Sequence, residues 1–128
     1  MESDKRYGQA ILRILTGLLF LPAGLMKLMD PAGITGMLTG LGFPAPSFLA
    51  WVLLLSEIIF GASLILGWKT KYTVWPPVIV LLVATLTVAL PGALENPMGW
   101  INVLFHLLGI GALISIFLDG PGAWAVSK

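Results

Sequence analysis

The chain contains no cysteine, and His106 is its only histidine in 128 residues. The first absence excludes disulfides, thiol nucleophiles, cysteine-ligated iron–sulfur clusters and covalently attached c-type haem. The second excludes a bis-histidine haem or a multi-histidine copper or zinc centre within one chain, so no metal site is expected. Charge is scarce as well: Asp, Glu, Lys and Arg make up 10% of the residues, against about 25% in a soluble domain. A net charge of +1 and the lack of a basic aromatic patch give no indication of nucleic acid as a partner.

Apolar residues fill the remainder, at 58%. Hydrophobic runs at about 8–29, 47–67, 73–90 and 100–118 are each long enough to cross a bilayer as a helix. They predict an all-α protein with one domain over residues 1–128, folded as a four-transmembrane-helix bundle in contact with lipid. Arg13 interrupts the first run and no convincing small-x-small cleavage site follows it, so the run is expected to stay as a helix and not to leave as a signal peptide. Asp30-Pro31 is both a stop and a start, with an N-cap and a proline at the first helical position, and predicts a short interfacial segment over 31–41 between helices one and two. Residues 42–46 form a turn, and Trp68–Lys71 and residues 91–99 link the later helices. Pro76 and Pro77 lie in a first turn, where proline is tolerated.

Lys5, Arg6, Lys69, Lys71 and Lys128 fall on one side of this arrangement, with Arg13 near it, and only Lys27 on the other. The positive-inside rule then places both termini in the cytoplasm. All five tryptophans (51, 68, 75, 100 and 124) lie at predicted span ends or in the tail, as an aromatic belt would.

The polar residues inside the spans are the candidate site. Glu57 sits at the centre of the apolar run 48–66, with nine residues on either side. An acid at that depth costs roughly 2.5–3.5 kcal/mol on insertion scales and should face protein or a water-filled cavity. Arg13, Gly17, Gly24 and Lys27 share one face of helix one, Glu57 and Gly61 one face of helix two, and Asn102, His106 and Gly109 one face of helix four. If these faces converge, Glu57 can reach Arg13 from the cytoplasmic side and His106 or Lys27 from the other. One reading is a structural ion pair, Glu57 with Arg13, with His106 bonded to Asn102, to a backbone carbonyl or to Glu57. The other is a mid-membrane pocket that holds a lipophilic head group or passes a proton, since buried Glu and His titrate usefully when paired. His106 is also a candidate axial ligand to haem or a pigment. Lys27 alone reads as a snorkelling interfacial lysine.

The run Arg13–Phe20 and then Ala23–Leu28 resembles the opening of DoxX-family membrane proteins, R-x3-G-x2-F-x3-G-x2-K. The similarity continues through Gly42-Phe43-Pro44 and residues 57–67, and ends at Asp119-Gly120-Pro121-Gly122-Ala123-Trp124. Phe60 stands where family members often carry the first of two glycines, which would narrow the space beside Glu57. The resemblance implies a small subunit in a bacterial or archaeal inner membrane, associated with thiosulfate:quinone oxidoreductase, terminal quinol oxidases or the response to oxidative and quinone stress. It implies no cofactor held by this chain. A quinone is the expected ligand, haem or pigment would come through a partner or His106, and electrons would enter from other membrane subunits or a soluble donor. The alternatives are a purely structural accessory subunit of a larger energy-transducing assembly, and a small transporter working as an oligomer.

Overall fold

The computed structural model describes residues 2–126. Among them the chain forms α1 (Glu2–Met29), α2 (Pro31–Gly40), α3 (Pro46–Leu66), the single turn α4 (Thr70–Thr73), α5 (Trp75–Ala84), a π-helical turn (Thr85–Ala89), α6 (Leu90–Glu95) and α7 (Gly99–Asp119). Four stretches are long and apolar enough to span a membrane: Asp4–Met29, Pro46–Leu66, Thr70–Glu95 and Gly99–Asp119. The expected all-α, four-span architecture is therefore present, and large apolar side chains such as Ile59, Ile79 and Leu108 stand exposed along it where lipid would meet them.

The breaks follow local chemistry. The Asp30 carboxylate accepts from the Gly33 amide at 3.2 Å and Pro31 opens α2, so the predicted interfacial segment is a capped helix. At the end of α3, Gly67 adopts φ +72°. The Trp68 amide reaches Ser63 O at 2.9 Å and the Gly67 amide reaches Leu64 O at 3.1 Å, the paired bonds of a Schellman stop.

Two boundaries differ from expectation. Helix α1 begins at Glu2, about a turn and a half before residue 8, because hydropathy marks only its apolar part while the polar leader continues the same coil. The third span does not end at Leu90. Pro91 lacks an amide proton, and its ring would clash with the carbonyl four residues back in a regular helix. The π turn at Thr85–Ala89 widens the coil by one residue just before it, with the Leu90 amide bonded to Thr85 O, and the helix continues to Glu95.

The spans form a ring in which α1 packs on α3, α3 on α5, α5 on α7 and α7 back on α1. Helix α2 lies against α3. Helices α3 and α7 occupy opposite corners. The tightest edge is α1–α3: a Cβ on Gly61 would lie 2.7 Å from Leu21 N, and one on Gly17 would lie 2.8 Å from Gly61 O. Apolar attraction between helices is weak in lipid, so this backbone-to-backbone contact supplies much of what holds the pair together. Phe20, Leu64, Val78, Leu81, Leu113 and Ile116 close the centre, with contributions from all four spans.

Candidate functional site

The α1–α3 contact determines what Glu57 meets. At Gly24 a Cβ would fall 2.9 Å from Glu57 Cβ and from Ile58 N, so the two backbones touch at the level of the acid. Lys27, one turn further along α1, bends back over this contact. Its Nζ donates to both Glu57 carboxylate oxygens at 2.7 Å. Glu57 is 5% exposed and the Lys27 side chain 23% exposed. Lys27 is thus turned into the bundle and not out to the membrane surface.

A cavity of about 380 Å³ adjoins the pair, enclosed by α2, α3, α5 and the π turn. Its walls are mainly apolar, among them Leu38, Phe43, Leu53 and Val80; Lys27, Ser56, Glu57 and Thr87 supply the polar groups. Val52, Ile79, Val83 and Val88 line it and are also exposed on the outer face of the bundle, so it opens sideways, toward lipid. The Ser56 and Thr87 hydroxyls each donate to the carbonyl one turn back, at Val52 and Val83 (2.7 Å in both cases). They therefore offer the cavity acceptors, while the third ammonium proton of Lys27 remains a donor. Phe60 is not among the lining residues.

The expected Glu57–Arg13 pair is not formed. Arg13 is fully buried at the other end of the bundle, where Nη1 donates to Pro121 O (2.5 Å) and Ala123 O (3.1 Å), and Nη2 to Trp124 O (3.4 Å) and Ile65 O (3.5 Å). The C-terminal chain from Gly120 onward folds back over the ends of α1 and α3 and brings the Pro121, Ala123 and Trp124 carbonyls to the guanidinium, so a cation that looked destined for an acid is held by main-chain oxygens. Asn102 and His106 do not join the cluster either. They lie on α7, at the corner opposite α3; the His106 Nδ1 donates to Asn102 O at 2.7 Å, a bond inside its own helix. Among the described residues no group of three His, Cys, Asp or Glu is placed to hold a metal ion.

Two contributors were not evident from the residues alone. Thr87 lines the cavity from within the π turn, and Pro91 with the two threonines at 85 and 87 is the local hint of that turn. The tail carbonyls that hold Arg13 carry no side-chain signature beyond the Gly-Pro-Gly turn that aims them.

The DoxX family model matches residues 8–90. A Mycobacterium tuberculosis protein named "Uncharacterized membrane protein Rv3486" is 30% identical over 91% of this chain and 77% of its own length. A Bacillus subtilis protein named "Putative oxidoreductase CatD" is 30% identical over 94% of this chain and 68% of its own. No solved structure matches.

Proposed function

Since the chain belongs to the DoxX family of integral membrane proteins, we propose that it is a small subunit of a quinone-linked membrane redox complex and contributes a quinone head-group contact at Lys27 and Glu57. The observation that carries this reading is the lipid-facing apolar cavity with an ion pair at its wall. Such a space suits a molecule with a long apolar body and a small polar head, and the Lys27 ammonium supplies a donor for a ring carbonyl. The oxidoreductase name carried by the Bacillus subtilis relative supports a redox setting. This chain brings no electron carrier, so the electrons pass through a partner subunit or soluble donor. Placement in a bacterial inner membrane with both termini cytoplasmic belongs to the same proposal and rests on the lysine and arginine distribution.

A second reading is favoured by the same ion pair. A buried Lys–Glu bridge between two helices is a packing device in its own right, which suits an accessory subunit without chemistry. A solute path is less well supported: Arg13 and the Lys27–Glu57 pair are separated along α1 by fourteen positions, roughly 21 Å, with buried Phe20 between them.

Glu57→Gln separates the two main readings. Normal assembly with loss of quinone-linked turnover, read in membranes and in the complex recovered with mild detergent, supports the quinone reading. Loss of assembly supports the structural one. The absorbance spectrum of what co-purifies reports whether a partner brings haem or pigment.

A further inference from the structure

The end of the bundle away from the cavity carries a second depression, and the latched tail forms one side of it. Beyond α7 the chain turns at Gly120 (φ +87°) and Gly122 (φ +77°). The Ala123 amide bonds to Arg6 O at 3.0 Å and the Val126 amide to Leu66 O at 2.9 Å. With Arg13 holding Pro121, Ala123 and Trp124 from beneath, the tail is fixed to both α1 and α3. Trp124 is held at φ +58°, a left-handed conformation costly for a bulky residue, and its ring packs on Tyr7 with centroids 5.1 Å apart. Merely stopping a helix would not require this.

Between this tail, α4 and the end of α7 lies a groove of about 1050 Å³. Arg6 of α1 and Lys71 of α4 both line it, both exposed and neither in an ion pair among the described residues. Among the described residues that line it, Asp119 is the one acid, and Phe117, Leu118 and Trp124 give the apolar surface. The groove sits where three spans begin or end, at Asp4, Thr70 and Asp119, which is the level of lipid phosphates.

We propose that this groove binds the head group of an anionic phospholipid of the phosphatidylglycerol type. Arg6 and Lys71 take the phosphate, the guanidinium through paired N–H donors and the ammonium as a point charge. The glycerol hydroxyls of the head group donate to the Asp119 carboxylate, a bond that a choline head, which has no N–H or O–H, cannot make. The acyl chains run down past Leu118 and Phe117. Among the described lining residues, two cations against one acid favour an anionic lipid over a zwitterionic one. The assignment is independent of any quinone at the opposite end.

Native mass spectrometry of the full-length detergent-purified protein, titrated with dioleoyl phosphatidylglycerol or dioleoyl phosphatidylcholine, tests it. The expected result is a phosphatidylglycerol adduct that persists where phosphatidylcholine is lost. Arg6→Gln and Lys71→Gln should each weaken its retention about fivefold, and the double variant about twentyfold. Both side chains are exposed, so the thermal unfolding midpoint should stay at the wild-type value, which separates lost binding from lost folding. Equal retention of the two lipids, or wild-type retention by the double variant, overturns the proposal. Competition with millimolar inorganic phosphate is the remaining arm: full displacement assigns the groove to free phosphate and overturns the lipid, and persistence of the adduct supports it.

Discussion

Lys27 Nζ lies 2.7 Å from both carboxylate oxygens of Glu57, so the basic residue in the last turn of α1 and the acid at the centre of α3 form one unit. The contact is possible because Gly24 lets the two backbones meet just below it. An acid that would be costly alone in lipid is neutralised within the protein, and the pair forms the polar wall of an otherwise greasy cavity.

Removing the cation alone should be the most damaging single change at this pair. Lys27→Met leaves Glu57 buried without a partner, and an uncompensated buried charge costs about 3–5 kcal/mol. Lys27→Met combined with Glu57→Leu should recover most of that loss. Denaturant unfolding in a fixed detergent reads both values, and a double variant no more stable than Lys27→Met would count against the pair as a coupled unit.

Arg13 and Glu57 should behave independently, since one holds the tail and the other Lys27. The effects of Arg13→Ala and Glu57→Gln on unfolding free energy should add to within about 0.5 kcal/mol. Rescue of Arg13→Ala by Glu57→Gln would restore the direct ion pair that the geometry rejects.

Lysine should not replace arginine at position 13. One ammonium cannot span carbonyls on both the tail and α3, whereas the guanidinium fork reaches Pro121, Ala123, Trp124 and Ile65. In Arg13→Lys the Ala123 and Val126 amides should exchange with deuterium about tenfold faster or more, corresponding to the loss of roughly 1.5–3 kcal/mol of charged hydrogen bonding. Unchanged exchange would mean that the tail holds itself in place.

A glycine at the helix contact and one facing outward should differ in their tolerance of a methyl group. In Gly61→Ala the new methyl would sit 2.7 Å from the Leu21 backbone nitrogen, so α1 and α3 must part, at a cost of about 1–3 kcal/mol. Gly111 has nothing within 4 Å of such a methyl, and Gly111→Ala should be within about 0.5 kcal/mol of wild type. Thermal unfolding of the two variants side by side decides the point.

Filling the cavity without touching its ion pair is the sharpest test of binding there. Ala84 lines the wall formed by α5, and Ala84→Phe should occupy the space while leaving Lys27 and Glu57 bonded. Saturable binding of a short-chain ubiquinone analogue to the purified protein should fall at least about tenfold, equal to 1.4 kcal/mol or more. Binding at wild-type strength would place the ligand elsewhere.

Much of the fold was legible from short-range chemistry. Long apolar runs gave the spans and Asp30-Pro31 gave the start of α2, because each of these depends on residues within a turn or two of one another. Pro91 was misleading for the same reason. Its local rule calls for a stop, and the π turn that evades the rule arises in the five residues before it.

Composition and periodicity alone were enough to establish that this is a four-span membrane protein with a mid-membrane acid that must face protein. They could not say which cation meets that acid. A helical face gives the direction of a side chain but not the order of helices around the bundle, and Arg13, Lys27 and His106 all had plausible depth and direction. The ring order put α7 across from α3, which removed His106. The returning tail offered Arg13 a set of carbonyl oxygens, acceptors that every residue possesses and no motif announces. Glu57 was left to Lys27, through a backbone contact that exists because Gly24 has no side chain to prevent it.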